Sequence, residues 1–358
     1  MKKSVISLVL ASAVAALCLP VLSGCSASVG YTLATAEDGS KYYIAQASGY
    51  KGFLSGAIVI SATYGEGDNE YPVKAIAEKG FAGTSITKVT IPDTVETIGM
   101  AAFAYNYSLN EVVFAEGSTI DEISWGCFGY CKALTEINIP KTVKTIDGMA
   151  FYGCNSISEI AFPDSLEYIN ISAFAECTAL QTLNLPDGLL RIGALAFYNC
   201  ISLESIILPD SLCSVEEPVL GENGEQQKDD DGNFVTRTIP AVDYGAFHTC
   251  TSLKFAVVGA GISSIEAGTF GYCVALEKIY LPAGLKKIEG ALLSDDDSFV
   301  CGHPFHNDGA LTDVYFAGSE EQWVEVTVDD TARMNKGVTY NNDAFINAQK
   351  HFNEYYGG

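Results

Sequence analysis

Cys301-Gly-His303-Pro-Phe-His306 is the one cluster in this sequence with metal-ligand chemistry. Thiolate and imidazole bind zinc, but a zinc site usually takes four ligands, and no second pair stands at matching spacing. His306 directly follows Phe305 as His248 follows Phe247, so the slot reads as outward and polar. The run Asp229-Asp230-Asp231-Gly232 lacks the alternating ligand spacing of a calcium loop. It reads as a solvated acidic hairpin. Only four His occur, and none pairs with a Ser or Cys in a nucleophile-elbow or papain-like context. No glycine-rich phosphate loop is present. These residues point away from an enzyme and imply no cofactor and no metal.

The cysteines are ordered differently. Cys131, Cys154, Cys177, Cys200, Cys250 and Cys273 share one register of a repeat that begins at Phe and recurs every 23 residues, from Phe128 through Phe151 and Phe174 to Phe197. Each copy reads Phe-x-x-Cys-x-x-Leu-x-x-Ile-x-Ile-Pro-x-x-Val-x-x-Ile and ends in a small residue. Such a period implies a stacked array, because one unit cannot bury its apolar side alone. Stacking puts the six cysteines about 5 Å apart, within disulfide reach. Their parallel inward vectors suit a column of small buried thiols better. Asn106 holds the same slot, where a polar side chain can bond backbone groups, and Cys127 reads as core filler. Cys213 and Cys301 are open to exposure.

The elements follow from the repeat. Alternating pairs before Pro (Val89 and Ile91, Ile137 and Ile139, Leu183 and Leu185) mark short strands with one buried face. The following Pro has no N–H and ends ladder pairing at the same place in each coil. Val143-x-x-Ile146 and its equivalents form a second leg, and Ala-Phe-x-x-Cys reads as one helical turn. Repeat starts run Phe81, Phe103, Phe128, Phe151, Phe174, Phe197, Phe247, Phe270 and Phe305. Val215 and Ile288 are followed by the next Phe after 32 and 17 residues instead of five, which places insertions at about 216–242 and 290–303 on one joint. Insertions confined to one face of an array often mark its working face.

The outward residue between the strand aliphatics changes along the stack. It reads Thr90, Val113, Asn138, Ala161 and Asn184, then Ile207, Val257, Tyr280 and Tyr315, with Phe255 beside them. An apolar stripe on a face the fold need not bury suggests a partner site or a covering loop. Ile207, Phe255, Val257, Tyr280 and Tyr315 are therefore the candidate ligand-binding residues.

The ends differ from the array, which occupies about 57–322. Lys2 and Lys3 precede an apolar run, Val5 to Leu19, too short to span a membrane. Leu22-Ser23-Gly24-Cys25 then looks like a bacterial lipobox, which implies a signal peptide over 1–24, cleavage before Cys25 and lipid on that residue as the membrane anchor. Residues 25–56 read as a tether followed by an N-terminal β cap, with a strand at Lys41–Ala47. Residues 323–358 read as a C-terminal cap or tail, with a helix from Asp343 to about Tyr355 that places Phe345, Ala348 and Phe352 on one face. The net charge of −24 is a poor match for nucleic acid or an anionic membrane surface.

The 23-residue frame with its closing Ala-Phe resembles the BspA-like, or Treponema-type, leucine-rich repeat family, from about Ile58 to about Trp323. Departures are Ala115 and Gly259 in place of Pro, and Asn106 and Asp308 in place of Cys. The resemblance implies a leucine-rich-repeat solenoid of stacked coils, curved as a right-handed superhelix. It also implies a bacterial surface protein that contacts host matrix proteins or other cells, with no catalytic residues to carry over. The expectation is a lipid-anchored, non-enzymatic lipoprotein exposed outside the cytoplasm that binds a protein or glycan in adhesion. The alternative is an envelope scaffold or assembly subunit whose partner comes from the same cell.

Overall fold

The computed structural model describes residues 27–49, 51–218, 227, 236–290, 292–293, 300–331, 333–335 and 338–356. Cys25, its signal segment and the acidic run at 229–231 lie outside these.

Each coil contributes to two parallel ladders. The first holds the strands that precede Pro. Ser55–Val59, Ser85–Ile91, Glu111–Phe114 and Glu136–Ile137 form one sheet. Ser205–Ile207, Phe255–Val257, Lys278–Leu281, Asp313–Phe316 and Gln349–Phe352 form another. Between them the ladder thins to the single bridge Ala161↔Asn184. At the edge of the first sheet, the Asn138 side chain imitates a backbone: Oδ1 accepts from the Phe114 N–H and Nδ2 donates to the Phe114 carbonyl, both at 2.9 Å. Each Pro then opens a turn, as where the Val143 N–H donates to the Pro140 carbonyl at 3.1 Å.

The second ladder runs through Glu122–Ile123, Thr145–Ile146, Tyr168–Ile169 and Arg191–Ile192, and resumes at Ser264–Ile265, Lys287–Ile288 and Thr327–Val328. At the N-terminal end, Ile58 pairs with Val89 and Ile76 with Ile98, so a partial coil closes the core. The stretch read as a tether is instead a strand: Ser28–Thr35 pairs antiparallel with Lys41–Ser48, which runs parallel to Tyr71–Ile76.

The Phe-x-x-Cys leg is not a helical turn. From Phe81 to Phe270 it is bounded by left-handed residues two before and two after the Phe, for example Met149 (φ 55) and Gly153 (φ 68) around Phe151. This alternation turns every second N–H along the stack. The Phe151 and Gly153 N–H groups donate to the Ala173 and Ala175 carbonyls of the next coil, both at 2.8 Å, while Tyr152 bonds back to Met149. Left-handed backbone costs L-residues about 1–2 kcal/mol each, and the repeated inter-coil bonds offset it. The core is a column of Phe rings from Phe81 to Phe305, all buried, with neighbouring centroids 5.1–5.8 Å apart.

The insertions do not share one joint. Val215–Pro218 pairs antiparallel with Thr236–Ile239, so Val215 belongs to a hairpin. Its expected ladder place beside Ile192 is taken by Val242, five residues before Phe247. Coil closure depends on the distance to the next Phe, and only Val242 satisfies it. Ile288 does stay in its ladder, between Ile265 and Val328, and the hairpin of Leu292–Leu293 and Val300–Cys301 leaves after it.

The C-terminus is a further coil, where the sequence suggested a long helix. After one helical turn, Asp343–Asn347, the strand Gln349–Phe352 joins the sheet in parallel beside Asp313–Phe316. Phe345 stacks on Phe305 at 4.5 Å and extends the ring column. It follows Val328 by the same 17 residues that separate Phe305 from Ile288, with a hairpin (Arg333–Asn335, Val338–Tyr340) in between.

Candidate binding face

The parallel register decides which outward residues meet. Ile207, Val257, Tyr280, Tyr315 and His351 occupy one column across five neighbouring strands. Phe255 lies in the adjacent outward column with Lys278 and Asp313. The structure thus brings all five candidate residues onto one face and adds His351.

Their exposure is uneven. Ile207 is 49% exposed, whereas Phe255, Val257, Tyr280 and Tyr315 are half-buried. Tyr280 stacks on Tyr315 at 4.6 Å, and Tyr315 on His351 at 4.5 Å. The chain end then returns over the stripe. Tyr356 stacks on Phe255 at 5.9 Å and meets Tyr280 edge-on at 5.3 Å. Among the described residues, the segment that covers the stripe is therefore the one that carries Tyr356. Burial, then the neighbouring Tyr315, pushes the Tyr280 phenol up from its ordinary value. His351 Nε2 meets Asp313 Oδ1 at 2.8 Å, and this hydrogen bond holds the Asp313 carboxyl below its usual range. Aromatic rings backed by a rigid parallel sheet have the makeup of an interface anchor.

The Cys-His cluster has a structural job. His303 Nε2 meets the Thr331 carbonyl at 3.0 Å and Nδ1 meets Asn342 Nδ2 at 3.2 Å, so both ring nitrogens are engaged. Asn342 also donates to the Asp329 carbonyl at 2.9 Å, which ties the third hairpin to the last coil. His306, read as outward, is only 8% exposed and lies edge-on to Tyr272 at 5.1 Å. The added C-terminal coil shields it, and burial lowers its pKa. Burial, then His306, pushes His248 down to about 4. The Cys301 side chain lies outside the described residues. Among the described residues, no group of three or more His, Cys, Asp or Glu is placed to hold a metal ion.

The cysteine column is buried, and its members are free thiols. Each Sγ donates to the carbonyl of the preceding coil's Phe, from Cys131 on Phe103 at 3.2 Å to Cys273 on Phe247 at 3.3 Å. Asn106 does the same with Nδ2 on the Phe81 carbonyl at 2.8 Å. Burial pushes the Cys131, Cys177 and Cys250 thiols up to about 12, far from the thiolate a nucleophile needs. Cys127 is buried and Cys213 exposed.

The profile of the BspA type leucine-rich repeat region matches in six copies, over residues 74–177, 148–237 and 169–299. The chain belongs to the BspA-type leucine-rich repeat family. A leucine-rich repeat protein from Bacteroides ovatus is 22% identical, over 80% of this chain and 69% of that one, with a TM-score of 0.53. It shares the solenoid fold. The T. pallidum leucine-rich repeat protein is 23% identical over 69% of this chain and 87% of its own, with a TM-score of 0.41. A leucine-rich cell surface protein from Faecalibacterium prausnitzii is 19% identical over 84% and 97%, with a TM-score of 0.32. No curated protein sequence matches the chain. The BspA-type repeat accounts for the Phe, Leu, Ile and Cys columns, and the residues on the outward face vary independently of it.

The sequence did not point to His351 and Tyr356, because the repeat frame fades near Trp323 and the segment from Asp343 to about Tyr355 reads as a helix. The signal was present in the 17-residue spacing from Val328 to Phe345. It was hidden because Ala348 replaces Cys and the strand Gln349-Lys350-His351-Phe352 lacks the aliphatic pair.

Proposed function

We propose that this BspA-type repeat chain is a non-enzymatic binding protein of the bacterial cell surface, held to the membrane by lipid on Cys25. It engages a macromolecular partner, a protein or a glycan, through the C-terminal half of its strand face. The observation that supports this reading is the stacked outward column Tyr280–Tyr315–His351 with Tyr356 across it. The core has no need of these rings, since the column of buried Phe and the inward aliphatic residues fill it without them.

The test is capture of host matrix and envelope fractions by the purified chain beginning at Ser26, with and without Tyr280→Ala plus Tyr315→Ala. Loss of captured partner in the double variant, with the melting curve retained, supports the strand face. Undiminished capture removes it. Metabolic labelling with an alkynyl fatty acid, compared between wild type and Cys25→Ala, decides the anchor separately.

A further inference from the structure

A second outward surface lies on the flank that carries the second ladder. Two residues after successive ladder aliphatics the chain places Met100, Trp125, Gly148, Ile171, Ala194 and Tyr244. Met100, Trp125 and Ile171 are 49, 37 and 39% exposed, large apolar side chains left in water on one flank. The small members of the column have a purpose. A Cβ on Gly148 would overlap the Trp125 ring, so the indole lies against bare backbone and is fixed there.

One residue after the last four of these aliphatics come Asp147, Asn170, Gly193 and Asp243. Gly193 breaks this polar row. A Cβ there would stand 2.7 Å from the Ile171 backbone N, so the position stays bare. The gap opens into a cleft of about 360 Å³, with Trp125 and Ile171 among its apolar walls and Asp147, Asn170, Arg191 and Asp243 among its polar ones. That volume lies near the small end of ligand pockets, roughly 300–1,000 Å³.

The polar groups are held in place. Asn170 Nδ2 donates to Asp147 Oδ1 at 2.8 Å, which leaves Oδ1 of the amide for another partner. Arg191 Nη2 meets Asp243 Oδ2 at 3.3 Å, while its Nε is buried without a partner. Asp243 Oδ1 accepts the Tyr244 N–H at 2.8 Å. Two carboxylates against one guanidinium leave the cleft one negative charge, on a chain of −24. An anionic ligand is repelled on both counts. The arrangement suits a compact neutral ligand with one apolar face and a rim of hydroxyls: an indole for the face, and planar amide, carboxylate and guanidinium groups for the rim.

We infer that this cleft is a sugar-binding site, taking one neutral pyranose residue of a glycan. Its C–H face lies on Trp125, and its hydroxyls meet Asn170, Arg191 and the two carboxylates. The inference goes beyond the strand-face reading and uses none of its residues, so either can fail alone.

Trp125 and Trp323 are the only tryptophans, so Trp323→Phe makes Trp125 the sole indole reporter. That variant is titrated with methyl glucoside, methyl galactoside, methyl mannoside, N-acetylglucosamine, the anionic methyl glucuronide and an arginine tripeptide. At least one neutral pyranoside is expected to shift Trp125 emission, with a Kd on the order of millimolar. Asn170→Ala is expected to weaken it about tenfold without moving Tm, Gly148→Ala to weaken it by displacing the indole, and Tyr280→Ala plus Tyr315→Ala to leave it unchanged. The inference is overturned if no neutral sugar binds, or if glucuronide or the tripeptide binds more tightly. Affinity that survives Asn170→Ala, or is lost in the strand-face double variant, overturns it as well.

Discussion

The Cys273 thiol donates to the Phe247 carbonyl at 3.3 Å, and one coil further the same slot holds Asp308. Every earlier member of this column supplies a donor to the Phe of the preceding coil. Asp308 is fully buried with neither oxygen in a well-formed hydrogen bond. Burial pushes its pKa well above the carboxylate range, so the protonated form, which can donate, is favoured in the fold. The folded pKa is raised, so its stability is fully present below the unfolded value near 4 and is lost as pH rises through the folded value. The last coils should therefore be tighter at pH 5 than at pH 7.5, read by hydrogen exchange at Leu311 and the 349–352 strand. Asp308→Asn supplies a neutral donor, as Asn106 does. It should raise Tm at pH 7.5 by a few degrees, on about 1–3 kcal/mol, and flatten the pH dependence. An unchanged pH profile in that variant would refute this role.

Thiol reactivity should follow burial. In the native chain, iodoacetamide should modify Cys213 while Cys127, Cys131, Cys154, Cys177, Cys200, Cys250 and Cys273 stay unmodified. Peptide mass spectrometry with and without denaturant checks this, and native labelling of the column would show that the coils open readily.

Phe174 stacks between Phe151 at 5.1 Å and Phe197 at 5.4 Å, with Phe162 edge-on at 5.6 Å. Phe174→Ala removes a ring from the middle of the column and should cost about 3–5 kcal/mol. Because each coil touches only its neighbours, denaturant unfolding of this variant should separate into two transitions. A single transition with little loss of stability would count against the column as the main support.

Tyr356 shields Tyr280, whose phenol is raised first by burial. Tyr356→Ala should bring the Tyr280 titration down towards its ordinary value, observable by NMR of labelled tyrosine. No movement would mean that the chain end does not rest on the strand face in solution.

The repeat frame was legible without coordinates because every coil faces the same burial problem and answers it with the same residues. Phe128, Cys131, Leu134 and Ile146 announce a stacked core through spacing alone. Repetition also revealed where copies differ, so the change from Asn184 to Ile207 and onward to Tyr280 and Tyr315 could be seen in the sequence. At the interrupted coil spacing offered two candidates: Val215 keeps its distance from the preceding Phe197 frame, and Val242 stands five residues before Phe247. The ladder selects Val242, which bridges to Ile192, while Val215 pairs in the hairpin. The last coil was hidden because Phe345 keeps the position but Ala348 and Lys350 do not keep the residue types of their columns. The sequence by itself determined the solenoid, its family and the composition of its outward columns, because these depend on local period. Tertiary structure alone decided that Tyr356 lies on Phe255 and Tyr280, that His306 is covered, and that Trp125 and Asp243 border one cleft. Those contacts join residues from different coils, and their meeting depends on how the stack registers and where the chain end returns.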